Sequence, residues 1–230
     1  MLGAQFDEVA GGNKVQNVIT GLTGVNYDEE GAFEKTAPQI QIPSGGAYDT
    51  YYFLNDGWYD NGTEEGALKP GWCDMFGSIV DAEFTPGIAI WLKSVENNAV
   101  VNTAGAVPDV ESVEVDCPVV FSMRANAFPM PIEINSDKMV LTGIAAGTYD
   151  EEGEFEKSAP QIQIPSGGAY NTFYYLADGW YDDGSEEGAL KPGWCDMFGS
   201  LVYGEDATIP VAQGFWLKGV GSTFKVKFVK

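Results

Sequence analysis

Apolar and polar residues alternate with a period of two at several points along the chain, the spacing of half-buried strands. Ala37-Pro-Gln-Ile-Gln-Ile-Pro43 shows it, and Ala159–Pro165 repeats it. Near the C-terminus Phe224, Val226 and Phe228 fall on one face, with Lys225 and Lys227 on the other. Thr50–Leu54 is aromatic-rich strand material, followed by an Asn55-Asp56-Gly57 turn. Met75–Val80, Gly87–Lys93, Ala99–Val107, Val113–Ser122 and Gly214–Lys218 supply further strands. No window of a dozen residues keeps a 3.6-residue period. Several short strands joined by Gly-, Asp- and Pro-rich turns predict an all-β fold, a sandwich or a barrel.

The pattern occurs twice. Tyr27–Val80 recurs as Tyr149–Val202 at a constant offset of 122 residues, with nine differences in 54 positions. Most of the nine preserve shape (Tyr51/Phe173, Thr63/Ser185, Ile79/Leu201), so each copy is expected to build the same unit. A repeat of about 120 residues is one domain's length and buries its own core without a staple. We therefore expect two tandem homologous β-sandwich or barrel-like domains, residues 1–108 and 109–230. Met1 falls opposite Met123 and Phe6 opposite Phe128, while Val113–Ser122 has no counterpart in the first repeat. The first unit is thus expected to lack its N-terminal strand and the second to be complete.

Charge narrows the partners. Thirty-four acidic and 12 basic residues leave a net charge of −22. That field repels phosphate backbones and anionic lipid surfaces, so neither nucleic acid nor membrane insertion is expected. No run approaches the roughly 18 apolar residues of a membrane span. Acidity of this size either keeps an exposed protein soluble or draws divalent cations and cationic partners. The chain has no histidine. The Ser-His and Cys-His dyads and the usual zinc sets are therefore missing. With no phosphate loop or nucleophile elbow either, a non-enzymatic role is expected.

Three groups of residues remain as candidate chemistry. Asp56, Asp60, Asn61 and Glu64, with their copies Asp178, Asp182, Asp183 and Glu186, lie in flexible acidic loops of the composition that calcium requires. The Asp-x-Asp-x-Asp-Gly order of an EF-hand is absent, and the competing reading is a solvated Asp-Gly turn. Tyr27–Gly31 and Tyr149–Gly153 are a second such pair. All six tryptophans occupy matched positions. Trp72 and Trp91 read as core, whereas Trp58-Tyr59 and Trp180-Tyr181, inside the acidic loops, are candidate sugar-stacking platforms. The cysteines are Cys73, Cys117 and Cys195. A Cys117–Cys195 bridge within the second unit is the economical pairing and implies an oxidising home. A Cys73–Cys195 bridge and three reduced thiols are the alternatives.

Gly-Trp-Tyr-Asp, a Gly/Pro-rich loop and a closing Gly-x-x-x-Trp-Leu-Lys at Gly87–Lys93, tightened to Gly214-Phe-Trp-Leu-Lys218, resemble repeated β domains of secreted bacterial surface proteins. The resemblance covers each repeat and implies a cell-surface, filament or sheath component. The leading expectation is an extracellular or cell-surface structural protein that self-associates. A sheet edge left open by a missing strand would be completed by another subunit's strand, with Phe224, Val226 and Phe228 on the donor. The second expectation is a carbohydrate-binding module with two equivalent sites, either without a cofactor or assisted by calcium.

Overall fold

The structure, a computed structural model, describes residues 2–3, 14–44, 47–59, 66–83, 85–93, 109–182, 184 and 188–230. The first repeat contributes β1 (Leu2–Gly3), α1 (Val15–Val18), α2 (Phe33–Thr36), β2 (Gln39–Ser44), β3 (Ala47–Tyr59), β4 (Ala67–Cys73) and β5 (Ala89–Lys93). The second contributes β6 (Ser112–Cys117), β7 (Ser122–Ala125), β8 (Ile132–Glu133), β9 (Met139–Thr142), α3 (Phe155–Ser158) and β10 (Gln161–Ser166). It continues through β11 (Ala169–Tyr181), β12 (Ala189–Cys195), β13 (Thr208–Ile209), β14 (Gly214–Lys218) and β15 (Phe224–Val229). The protein is mostly β and its α-helices are single turns, as the absence of a 3.6-residue period requires.

Two five-stranded antiparallel sheets dominate, in the orders β1-β5-β2-β3-β4 and β7-β14-β10-β11-β12. They correspond strand for strand. Leu2 and Gly3 pair with Ile90 and Ala89, just as Arg124 and Ala125 pair with Phe215 and Gly214. A three-stranded sheet, β6-β15-β9, and a two-stranded one, β13-β8, belong to the second repeat. Side chains of β10 and β14 meet those of β6, β9 and β15 in one buried cluster that holds Ile162, Leu217, Cys117, Met139 and Phe228. Phe215 and Phe228 stack edge to face across it, 6.4 Å apart.

The aromatic strand is explained by burial on both faces. Phe173 and Tyr175 of β11 point into that cluster, whereas Tyr174 and Leu176 pack on Phe155, Ala159 and Cys195 on the opposite face. In the first repeat Tyr51 and Phe53 pack on one cluster, Tyr52 and Leu54 on another. A strand covered on both sides loses its alternation and reads as a continuous apolar run.

Several expected boundaries move. Asn55-Asp56-Gly57 is a bulge inside the single 13-residue strand β3 rather than a turn. The chain at 25–27 satisfies the displaced groups: the Asn55 amide donates to the Val25 carbonyl at 2.8 Å, and the Tyr27 amide to Asp56 Oδ1 at 2.8 Å. The expected Gly/Pro-rich loop is largely β4, an edge strand on which Pro70 needs no outward amide partner. Met75–Val80 forms a turn and isolated bridges instead of a strand. Val113–Ser122 divides into β6 and β7, since Pro118 has no amide to continue the ladder. Residues 94–108, with the expected Ala99–Val107 strand and the proposed boundary, lie outside the described residues.

Candidate functional site

The acidic loops lie where β3 and β11 end. Asp60, Asn61, Glu64, Asp183 and Glu186 fall outside the described residues. Asp56 and Asp178 are bulge residues, each holding a backbone amide: Tyr27 N at 2.8 Å and Tyr149 N at 3.0 Å. Asp182 Oδ1 accepts the Gly184 amide at 2.9 Å, closing a local turn. In the weaker pair of acidic loops, Asp28 accepts the Ala32 and Phe33 amides and Asp150 those of Glu154 and Phe155. These carboxylates bind the first amides of α2 and α3. Among the described residues no three His, Cys, Asp or Glu side chains gather as a metal would require.

Trp58 and Trp180 are half exposed, at 39% and 41%. Each indole lies on a glycine of the adjacent strand's approach. A Cβ at Gly66 would sit 2.0 Å from Trp58 Nε1, and one at Gly188 2.2 Å from Trp180 Nε1. Tyr59 and Tyr181 are less free than the sequence suggests. Lys69 Nζ sits 3.8 Å from the Tyr59 ring centroid and Lys191 Nζ 3.9 Å from that of Tyr181. A cation over a ring is a favourable contact that another ligand must displace.

The sequence reasoning missed a duplicated groove. In the second repeat Glu156 of α3, Tyr170, Thr172 and Tyr174 of β11, and the Asp196-Met197 turn line a cavity of about 590 Å³. Their counterparts Glu34, Tyr48, Thr50, Tyr52, Asp74 and Met75 line one of about 330 Å³. Tyr174 donates to Glu156 Oε2 at 3.4 Å, and burial together with that carboxylate pushes its phenol up. Asp74 Oδ1 accepts the Phe76 and Ser78 amides at 2.9 Å each, and Asp196 does the same for Phe198 and Ser200. The turn so fixed holds Phe76 and Phe198 outward, both 71% exposed. The available signal was Tyr48-x-Thr50-x-Tyr52, one strand face by period two; joining it to Asp74 needed the fold.

The three cysteines are buried and free. This overturns the Cys117–Cys195 bridge. Cys117 lies in the cluster between β6, β15 and the five-stranded sheet, whereas Cys195 packs on the sheet's other face with Phe155 and Leu176. A disulfide needs Cα atoms within about 7 Å and converging Cβ vectors. Burial first, then the carboxylates of Asp74 and Asp56, pushes the Cys73 thiol up to about 12. Burial first, then Asp196 and Asp178, does the same for Cys195, also to about 12. Thiols this reluctant to ionise are structural rather than nucleophilic.

Trp72 and Trp194 are fully buried, and among the described residues their indole Nε1 atoms have no hydrogen-bond partner. Trp91 is part of a seam rather than a core: it meets Trp216 with centroids 6.4 Å apart, around buried Ala89, Met123 and Ala125. The Ala125 amide donates to the Gly87 carbonyl across this seam at 3.0 Å. Phe224, Val226 and Phe228 are buried, and β15 is a central strand paired to β6 on one side and β9 on the other.

No protein family, no curated protein and no solved structure matches this chain.

Proposed function

We propose that the chain is a non-enzymatic structural protein of the cell surface or extracellular space, built from two tandem homologous β-sandwich units that self-associate into an array or filament. One observation carries this reading. The three most exposed pairs of large apolar side chains recur in both repeats and are exposed to nearly the same degree: Leu68 and Leu190 at 66%, Met75 and Met197 at 55% and 57%, Phe76 and Phe198 at 71%. Exposed apolar side chains at the tip of a fixed turn mark contact surfaces, and two copies per chain give each subunit two such contacts. Strand exchange fits the same reading in a modified form. In a swapped assembly β15 would keep β6 and β9 as its partners but take them from another copy.

The test is negative-stain electron microscopy and light scattering on the native chain and on the double variant Phe76→Ser/Phe198→Ser. Ordered particles from the native chain that the double variant loses are expected. A monodisperse monomer at every accessible concentration would sink the proposal.

The duplicated groove and the half-exposed Trp58 and Trp180 favour a second reading, a calcium-assisted carbohydrate-binding module with two equivalent sites, the calcium held by the acidic loops. A glycan array with and without chelator tests it. Trp58→Ala/Trp180→Ala should abolish any signal, and retained binding would move the site to the groove.

A further inference from the structure

Arg124 is the chain's sole arginine. It sits on β7 with only 7% of its surface exposed. Its Nη1 donates to the Met123 carbonyl at 2.8 Å and its Nη2 to the Asp116 carbonyl at 2.5 Å. Nε is buried without a partner among the described residues, and the one side chain the guanidinium is seen to engage there is the uncharged Cys117 thiol. The ion pairs found among the described residues belong to Lys14, Lys157 and Lys225, so no carboxylate of theirs neutralises this guanidinium. A buried cation without a counter-ion is costly, and a guanidinium offers five N–H donors in a fork that fits a carboxylate.

The same side chain helps to line a recess of about 270 Å³ at the seam between the repeats. Pro43, Tyr48 and Ile88 of the first repeat form its walls with Pro118 and Phe121 of the second. These walls are largely apolar and suit an organic body rather than a hydrated inorganic ion. The net charge of −22 works against multiply charged anions and least against a single one. We propose that the recess binds a monocarboxylate, its charge held by Arg124 and its apolar body by Pro43, Tyr48 and Phe121. Because both repeats supply walls, occupancy also ties the two repeats together. The carboxylate is either free or presented by an acidic side chain of a second copy. With a free carboxylate the proposal is independent of the assembly reading and survives its failure.

A sole arginine gives a single Nε–Hε resonance, so the site reports on itself. The full-length ¹⁵N-labelled chain is titrated with sodium benzoate, and with sodium chloride at matched ionic strength. Benzoate should shift that resonance saturably, with a midpoint on the order of 1 mM for so small a ligand. Chloride should not. Phe121→Ala, on a ring already 38% exposed, should keep the fold and weaken benzoate about tenfold. Arg124→Leu, which places in β7 the residue that β1 carries at the matched register position, should abolish binding. If that variant fails to fold, Phe121→Ala alone keeps the proposal open to refutation. A resonance that moves with protein concentration, in an oligomer that benzoate disperses, assigns the carboxylate to a second copy. A concentration-independent resonance that benzoate still shifts assigns a free ligand. A resonance that neither salt moves, or that both move equally, overturns the site.

Discussion

The sheets β1-β5-β2-β3-β4 and β7-β14-β10-β11-β12 share strand order, register and bulge, yet the side chains that close their matched tryptophan strands differ in length and in the local structure that carries them. In the first repeat Gln16 of α1 accepts the Trp72 amide at 2.9 Å and donates to the Trp72 and Val80 carbonyls. In the second, Asn135 beyond β8 accepts the Trp194 amide at 2.7 Å and donates to the Trp194 and Val202 carbonyls, both at 2.8 Å. The two residues are structural counterparts: the Val15 amide before one donates to the Ala82 carbonyl as the Ile134 amide before the other donates to the Ala207 carbonyl, and Lys14 bridges Glu83 as Glu133 pairs with Thr208. What the near-identical sequence preserves is a set of backbone groups in need of an amide, and either a longer side chain on a helix or a shorter one on a turn meets it. A buried backbone group must be satisfied, but nothing dictates by what.

Among the described residues the cover differs as well. The second sheet packs against β6, β9 and β15. The cluster on the equivalent face of the first is built from Val15, Val18 and Ile19 with Ile40, Trp72 and Ile90. Phe228→Ala removes a fully buried ring from the second cover and should cost about 3–5 kcal/mol. Hydrogen exchange would show β10 and β14 amides losing protection while those of β2 and β3 keep theirs. Equal loss in both would mean that the two sheets fold as one cooperative unit.

Removing the clasp is the next largest step. Gln16→Ala and Asn135→Ala should each cost about 1–3 kcal/mol by leaving tryptophan-strand groups unpaired. Gln16→Asn should cost nearly as much as Gln16→Ala, because the shorter amide loses its reach from α1. Urea unfolding checks all three. A harmless Gln16→Asn would make the difference between the repeats incidental.

The bulge glycines test the likeness instead. A Cβ at Gly57 would lie 2.3 Å from Cys73 Sγ, and one at Gly179 2.4 Å from Cys195 Sγ. Gly57→Ala and Gly179→Ala should each destabilise by about 1–2 kcal/mol, by the same amount in both repeats. The thiols they press on give a pH prediction. Cys73 and Cys195 ionise at about 12 in the folded chain against an ordinary 9.0. The raised value favours the neutral form, so their contribution to stability is whole below pH 9 and is lost as pH rises toward 12. Urea midpoints should fall across that window, and less steeply in Cys73→Ala/Cys195→Ala. An unchanged slope would show that these thiols are not desolvated. Smallest of all, Leu68→Ser and Leu190→Ser should leave the unfolding free energy, read from urea titration, within about 0.5 kcal/mol of the parent. Their effect belongs in particle size.

Strand chemistry was legible where one residue's neighbours decide it. The alternation at Gln39–Ile42, the apolar face Phe224-Val226-Phe228 and the matched register of β1 and β7 follow from period two and a fixed offset, and each forms a strand. Asn55-Asp56-Gly57 and the Gly/Pro-rich stretch at Ala67–Cys73 carry turn chemistry but lie in strands. Distant partners won there: Val25 and Tyr27 take up the bulge, and the sheet edge leaves Pro70 without an amide to miss. Cysteine counting proposed a bridge between Cys117 and Cys195. Which face of a sheet a thiol occupies depends on what packs there, and the sheet stands between these two. The groove at Tyr48, Thr50 and Asp74 and the recess at Arg124 had no local signature either. The sequence alone determined a duplicated β scaffold, because strand periodicity and repetition are local and countable. The tertiary structure alone decided which side chains share a cavity and which charge is left buried, because those depend on residues far apart in the chain that meet only when the sheets pack.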